Sequence, residues 1–217
     1  MFGRWFGKKH EIDKSPSAAG VTGSRVLRHS GGWAMLRKRL QSESGLHVID
    51  DGYTSATNIS FLTELGHSVF LSDLVHDAWT GNWKTVTDEE GKPDWNVSGF
   101  LDQTLNFSGR TFDVVLLWAA LDYLPEPFIE PLVAHLFKAM SPGGQVLALF
   151  HTRLHEEETL YCRYNLTPGD EIEVQQAKQF PIQRVFSNRS IGRLFGEWSG
   201  FRQFLAKDNV SELVIQR

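Results

Sequence analysis

Cysteine is nearly missing: Cys162 stands alone in the chain, which excludes an internal disulfide framework and any zinc site built from several thiolates. That usage fits a reducing compartment, so the cytoplasm is the expected location. No apolar run approaches the roughly 18–20 residues of a membrane helix, and the N-terminus lacks the apolar segment of a signal peptide. A soluble protein is expected. His47, His67, His76, His135, His151 and His155 show no metal-ligand spacing combined with carboxylates, so no metal is expected. Internal repeats and heptads are absent, as is the Gly-x-Gly-x-x-Gly dinucleotide fingerprint.

What is present is enough for one sizeable core: 217 residues, 41% of them hydrophobic. The net charge of −4 hides an asymmetry, because residues 1–40 hold nine Lys or Arg against two Asp or Glu. The head is basic and the body acidic, which argues against nucleic-acid binding through phosphate neutralisation. Phe2, Trp5 and Phe6 interleave with Arg4, Lys8 and Lys9, a pattern that offers residues 2–9 a membrane-surface or acidic-partner contact. The competing reading is a disordered, solvated tail over 1–23, because Lys14 to Gly23 is too small and polar to pack. Residues 24–217 then form a single domain.

Periodicity predicts a helix at 31–42 (Trp33, Met35, Leu36, Leu40) and a strand at 46–51. A turn at 52–56, a helix at 57–66 with Ile59, Leu62 and Leu65, and a strand at 68–73 complete a parallel βαβ unit. Between Val75 and Gly99 the signal weakens to helix fragments and a loop. Phe112 to Trp118 is an unbroken apolar run, typical of a central strand covered on both faces. Pro125 and Pro127 open a helix at 127–140, Pro142-Gly143-Gly144 ends it, and Gln145–Phe150 is another buried strand. Residues 152–187 read as a flap, with a hairpin of Leu160–Leu166 and Glu171–Gln175, suited to a substrate lid. A helix at 188–198 and two strands, 201–206 and 210–216, close the chain as an antiparallel hairpin.

The densest chemistry lies in residues 47–74. Gly52 permits positive φ and close backbone approach, Thr54, Ser55 and Thr57 add hydroxyls, and the following helix presents its amides. Asp73 follows at the carboxyl end of the second strand, where an acid can accept hydrogen bonds from two ribose hydroxyls. A helix cap is the alternative role for Asp73.

Val-Ile-Asp-Asp-Gly (48–52), Leu-Ser-Asp-Leu (71–74), Thr-Phe-Asp-Val-Val-Leu-Leu-Trp (111–118), Leu-Asp-Tyr-Leu (121–124) and Ser-Pro-Gly-Gly-Gln-Val-Leu (141–147), in this order and with the terminal hairpin, resemble the class I S-adenosylmethionine-dependent methyltransferases. The likeness runs from about residue 30 to the C-terminus. It implies a doubly wound, mostly parallel seven-stranded α/β sheet of Rossmann-like type with an antiparallel C-terminal strand hairpin. It also implies S-adenosylmethionine as cofactor and a small-molecule methyl acceptor. On the matching positions, the cofactor residues would be Asp50, Gly52, Tyr53, Thr54, Asp73, Leu74 and Trp118.

Thr54 and Ala56 replace the family's second and third glycines, and two acids, Asp50 and Asp51, stand where one is usual. Those departures carry the alternative of a catalytically degenerate cofactor-fold protein acting as a binding or regulatory subunit. An NAD-dependent oxidoreductase is disfavoured by the missing glycine fingerprint. Asp102, Gln103 and Asn106 are candidates for adenine binding.

Methyl transfer requires proximity, a dry pocket and sometimes a base. Asp122 and Tyr123 past one central strand, and His151 past the next, sit at strand carboxyl ends, where open α/β sheets bind ligands. His151 is the candidate base, with a satisfied strand-end histidine as its structural alternative and a helix cap as that of Asp122. Tyr161, Arg163 and Tyr164 on the flap suit either an acidic or planar substrate or a solvated hairpin face.

Overall fold

The computed structural model describes residues 24–87, 93–153, 160–205 and 208–217. The basic head, with its possible contact at 2–9, therefore lies outside the described residues. In chain order the elements are β1 (Arg25–His29), α1 (Gly31–Ser42), β2 (His47–Asp51), α2 (Ala56–Glu64), β3 (Ser68–Ser72), α3 (Leu74–Thr80) and β4 (Lys84–Thr87). Next come β5 (Pro93–Trp95), α4 (Val97–Thr104), β6 (Phe112–Trp118), α5 (Ala120–Tyr123), α6 (Glu126–Ala139) and β7 (Met140–His151). The chain finishes with β8 (Leu160–Leu166), β9 (Glu171–Gln179), α7 (Asn188–Leu194), β10 (Gly200–Leu205) and β11 (Val210–Gln216).

Six strands form the central sheet in the order β10-β11-β7-β6-β2-β3. β3, β2, β6 and β7 are parallel, and β11 and β10 add the expected antiparallel hairpin beside β7. The order reverses between β2 and β6, which makes the carboxyl ends of these two strands the topological switch point. β6 reads as a continuous apolar run because both its faces are covered, with Val114 to Trp118 all buried. Over 75–99, where periodicity is weak, the described residues fold as α3, the antiparallel β4–β5 pair and the start of α4, and none of them joins the central sheet. Three apolar residues of the α1 stripe, Trp33, Leu36 and Leu40, are fully buried, and the helix packs on β7 and β11.

The flap is larger than a hairpin. β9 pairs with β8 on one side and with β1 on the other, so a short strand ahead of α1, which periodicity does not reveal, completes a three-stranded antiparallel sheet. Glu212 on β11 seats this sheet: its carboxylate accepts hydrogen bonds from Ser30 Oγ (2.9 Å) and Gly32 N (2.7 Å) and pairs with Arg28. A buried acid so fully partnered fixes where β1 and α1 meet the main sheet. Among the described residues, no helix is long and apolar enough to cross a membrane.

Candidate functional site

β2 ends in the two acids, and each has a different set of partners. Asp50 Oδ1 accepts from the Trp118 indole N–H (3.0 Å) and Oδ2 from the Asn58 amide (2.9 Å). Asp51 Oδ1 accepts from Ser72 Oγ (2.9 Å) and Leu74 N (3.0 Å), while its buried Oδ2 has no hydrogen-bond partner among the described residues. Gly52 follows at φ +112°, a conformation that a side chain would strain, and donates its N–H to Ser72 O at 2.7 Å. Asp73, partly exposed at the end of β3, does cap α3, with Oδ1 accepting from His76 N at 3.1 Å. Its second carboxylate oxygen is not used in that cap.

Burial pushes the Asp50 and Asp73 carboxyls up to about 6, and drives Asp51 well above the usual range, with Asp73 and Asp50 adding repulsion. Three carboxyls thus converge on the turn with no cation among the causes at Asp50 or Asp51. Neutral donors satisfy both oxygens of Asp50 and one each of Asp51 and Asp73, and the buried Asp51 Oδ2 is left over.

Helix α2 supplies the polar clamp that sequence reasoning missed. Asn58 lies one turn before Leu62 on the buried stripe, and a polar residue at a core position is the signal that could have marked it. Its amide donates to Asp50 and to Tyr164 O (3.0 Å), and its Oδ1 accepts from Leu166 N (2.7 Å). Ser55 caps the helix and donates to Asn165 Oδ1 at 2.6 Å. The turn after β2 is therefore tied directly to β8.

That strand lies across the carboxyl ends of the sheet. All four tyrosines of the chain gather there. Tyr161 packs on Tyr53 (5.4 Å between centroids) and Tyr123 (5.1 Å), and its hydroxyl lies 3.1 Å from where a Cβ on residue 52 would stand. Tyr164 stacks on Trp118 at 4.9 Å and 10°, and the stack and the bond to Asp50 hold Trp118 at a φ of +46°, rare for a bulky residue. Tyr161, Arg163 and Asn165 face the Gly52 turn, whereas Cys162 and Tyr164 face a cleft beside His151. Tyr161 and Tyr164 turn inward, so the flap's tyrosines do not form a solvated hairpin face.

The expected cofactor positions thus fall into two groups. Asp50, Gly52, Tyr53 and Trp118 come together under β8, with Asp50 and Trp118 no more than 4% exposed. Asp73 stays reachable, Leu74 is buried and contributes its amide to Asp51, and Thr54 is exposed with its side chain outside the cluster. Asp102, Gln103 and Asn106 are all exposed on or just after α4.

The three acid–base candidates are brought together. Asp122, fully buried in α5, accepts from both the His151 backbone N–H and Nδ1–H, each at 2.7 Å, so it caps no helix. The Tyr123 ring meets the imidazole edge-on at 5.8 Å. Burial raises the Asp122 carboxyl, while the bonds from His151 pull it down. Because a carboxylate only accepts, Nδ1 carries the proton and Nε2 is left as the basic atom. Among the described residues, no group of three His, Cys, Asp or Glu is placed to hold a metal ion.

The topology and site define a doubly wound α/β protein with an acid-lined turn at the switch point and a cleft beside His151. No family model matches the chain, and no curated protein matches it. Solved structures do. A Burkholderia thailandensis 1,6-didemethyltoxoflavin-N1-methyltransferase, with bound 1,6-didemethyltoxoflavin and S-adenosylhomocysteine, is 14% identical over 85% of this chain and 75% of its own, with a TM-score of 0.47. A SAM-dependent methyltransferase from Methanosarcina mazei is 16% identical over 83% of this chain and 96% of its own (TM-score 0.48). One from Mesorhizobium loti is 12% identical over 85% and 97% (TM-score 0.45). At these identities and scores, the reading of the site rests on the chain's own residues.

Proposed function

We propose that this protein is an S-adenosylmethionine-dependent methyltransferase acting on a small-molecule acceptor. The observation that carries the reading is the convergence, at the switch point, of a positive-φ glycine turn, three raised carboxyls and a buried Asp–His pair. The carboxylate oxygens left over, Asp51 Oδ2 and the Asp73 oxygen outside the cap, fit a ligand rich in donors: the cofactor carries two ribose hydroxyls and an ammonium group. Asp73 would take the ribose, and Gly52 would let the backbone approach the ligand. The orphaned Asp51 Oδ2 would accept a donor that reached it. Bound there, S-adenosylmethionine supplies an electrophilic methyl group on a sulfonium. The chain's part is then positioning, exclusion of water by the tyrosine cluster, and removal of the acceptor's proton at His151 Nε2 with Asp122 orienting the ring.

Tyr161 occupies the space above Gly52, so cofactor entry requires β8 to shift off the turn. The same occupancy, together with Thr54 and Ala56, favours a second reading: a cofactor-fold protein that works by binding alone. Thermal unfolding with ligands tests both. S-adenosylhomocysteine is expected to raise the melting temperature and NAD to leave it unchanged, since ligand at 100 times its Kd adds about 2.7 kcal/mol. A saturating thioether with no shift overturns the cofactor assignment, and binding without methyl transfer to any acceptor selects the second reading.

A further inference from the structure

Beside His151 lies a cleft of about 440 Å³, on the opposite side of β8 from the Gly52 turn. Cross-strand neighbours Val26, Val174 and Tyr164 form one wall, and Leu149 and Val210 form another. Among the described residues its one cation, Arg28, is spent in pairing with Asp208 and with Glu212. Within that lining an anionic ligand would find no uncompensated positive charge, and a cationic one no uncompensated acid, because Asp208 is engaged by the same arginine and Asp122 by His151.

Ser24, Gln176 and Asn209 also line the cleft, but none of them is basic, so among the described residues the imidazole is its one base. Among the described residues, the titratable groups around it are Asp122 and Tyr123 of α5, Cys162 and Tyr164 of β8, and the Arg28–Asp208 pair. Burial raises the Tyr123 and Tyr164 hydroxyls and pushes the Cys162 thiol up to about 11, so none of these competes as a base near neutrality. Among the described residues, Nε2 is the base left for a ligand.

From these walls and this single base we infer that the cleft binds a neutral phenol or hydroxy-heteroaromatic molecule, with its ring among the apolar side chains and its O–H donated to His151 Nε2. A phenolic O–H is acidic enough to pass its proton to an imidazole held by a carboxylate, whereas an aliphatic alcohol is far too weak an acid. In the proton transfer the O–H bond breaks and an Nε2–H bond forms. Phenolate and imidazolium result, and the Asp122 carboxylate steadies the cation through Nδ1–H. That the phenol is the methyl acceptor rests on the proposed methyltransferase activity and on the shift of β8 that cofactor entry requires, because β8 separates the cleft from the Gly52 turn. Binding and ionisation need no cofactor, so the two statements can fail separately.

The probe is 4-nitrophenol, whose anion absorbs in the visible, titrated into the full-length protein at about pH 7, where an unperturbed imidazole is mostly neutral, with the phenolate band read against free probe at the same pH. Saturable binding with growth of the phenolate band is expected. 4-Nitroanisole, which lacks the hydroxyl, should bind at least about tenfold more weakly, and 4-nitrobenzoate should not compete. His151→Gln should bind the probe without the phenolate band. Val174→Phe, which fills the cleft and leaves the Asp–His pair untouched, should abolish binding, and near-ultraviolet circular dichroism checks the fold of each variant. The proposal is overturned by the absence of saturable binding, by an equal phenolate band in His151→Gln, or by nitroanisole binding as well as nitrophenol.

Discussion

Tyr161→Ala should make this protein less stable and yet a better binder of S-adenosylhomocysteine. The tyrosine is 1% exposed, packs on Tyr53, Tyr123 and Phe180, and places its hydroxyl over Gly52. Burying an aromatic side chain of this size removes about 200 Å² from water, or about 5 kcal/mol at 25 cal/mol per Å². Truncation to Ala in a core costs about 3–5 kcal/mol, which for a domain of this length lowers the melting temperature by about 10 °C. If the ligand must first lift the ring off Gly52, the wild-type protein loses much of that same energy on binding, and the variant does not. Relief of about 3 kcal/mol corresponds to about two orders of magnitude in Kd. Isothermal titration calorimetry with S-adenosylhomocysteine, alongside thermal unfolding of the unliganded variant, reads the two effects independently. A tyrosine that merely shaped the site would weaken both. An unchanged or weaker affinity in a folded variant therefore refutes the plug argument.

Asn58→Ala should lower stability by about 3 kcal/mol in urea denaturation, because it orphans Asp50 Oδ2, the Tyr164 carbonyl and the Leu166 amide at once. The same variant should speed amide exchange in β8 ahead of the rest of the sheet, and uniform exchange would contradict its role as a clamp. Asp50 gives a pH signature. Its folded pKa of about 6 lies above the unfolded value of about 3.9, so the native state holds the extra proton between them. The corresponding stability is complete below about pH 4 and is lost as the pH rises through 6, to the extent of about 3 kcal/mol for this group. Urea stability of Asp50→Asn should therefore fall less between pH 4 and pH 7 than that of the wild type, and equal slopes would remove Asp50 as the cause.

Much of the frame was readable from local pattern. The buried run Phe112–Trp118, the helix at 31–42 and the closing hairpin follow from periodicities that depend only on which residues face a core. The strand-end positions of Asp50, Asp73, Asp122 and His151 follow in turn, because a carboxyl end is fixed once a strand's direction is known. β1 escaped notice because a five-residue strand with exposed Val26 and Leu27 has no apolar alternation to read. Its partner β9 is almost 150 residues away in the chain, and only pairing reveals it.

The sequence by itself determined the α/β class, the order of the elements and the cluster of acids at one end of the parallel strands, since each depends on a residue and its near neighbours. Only the tertiary structure decided that Asp122 holds His151, that Asn58 ties the turn to the flap, and that Tyr161 lies over Gly52 with a cleft on the far side of β8. Those relations join residues 29 to 109 positions apart. Hydrogen bonds and ring contacts at such separations leave no periodic trace, because they are set by how the sheets pack and not by the local chain.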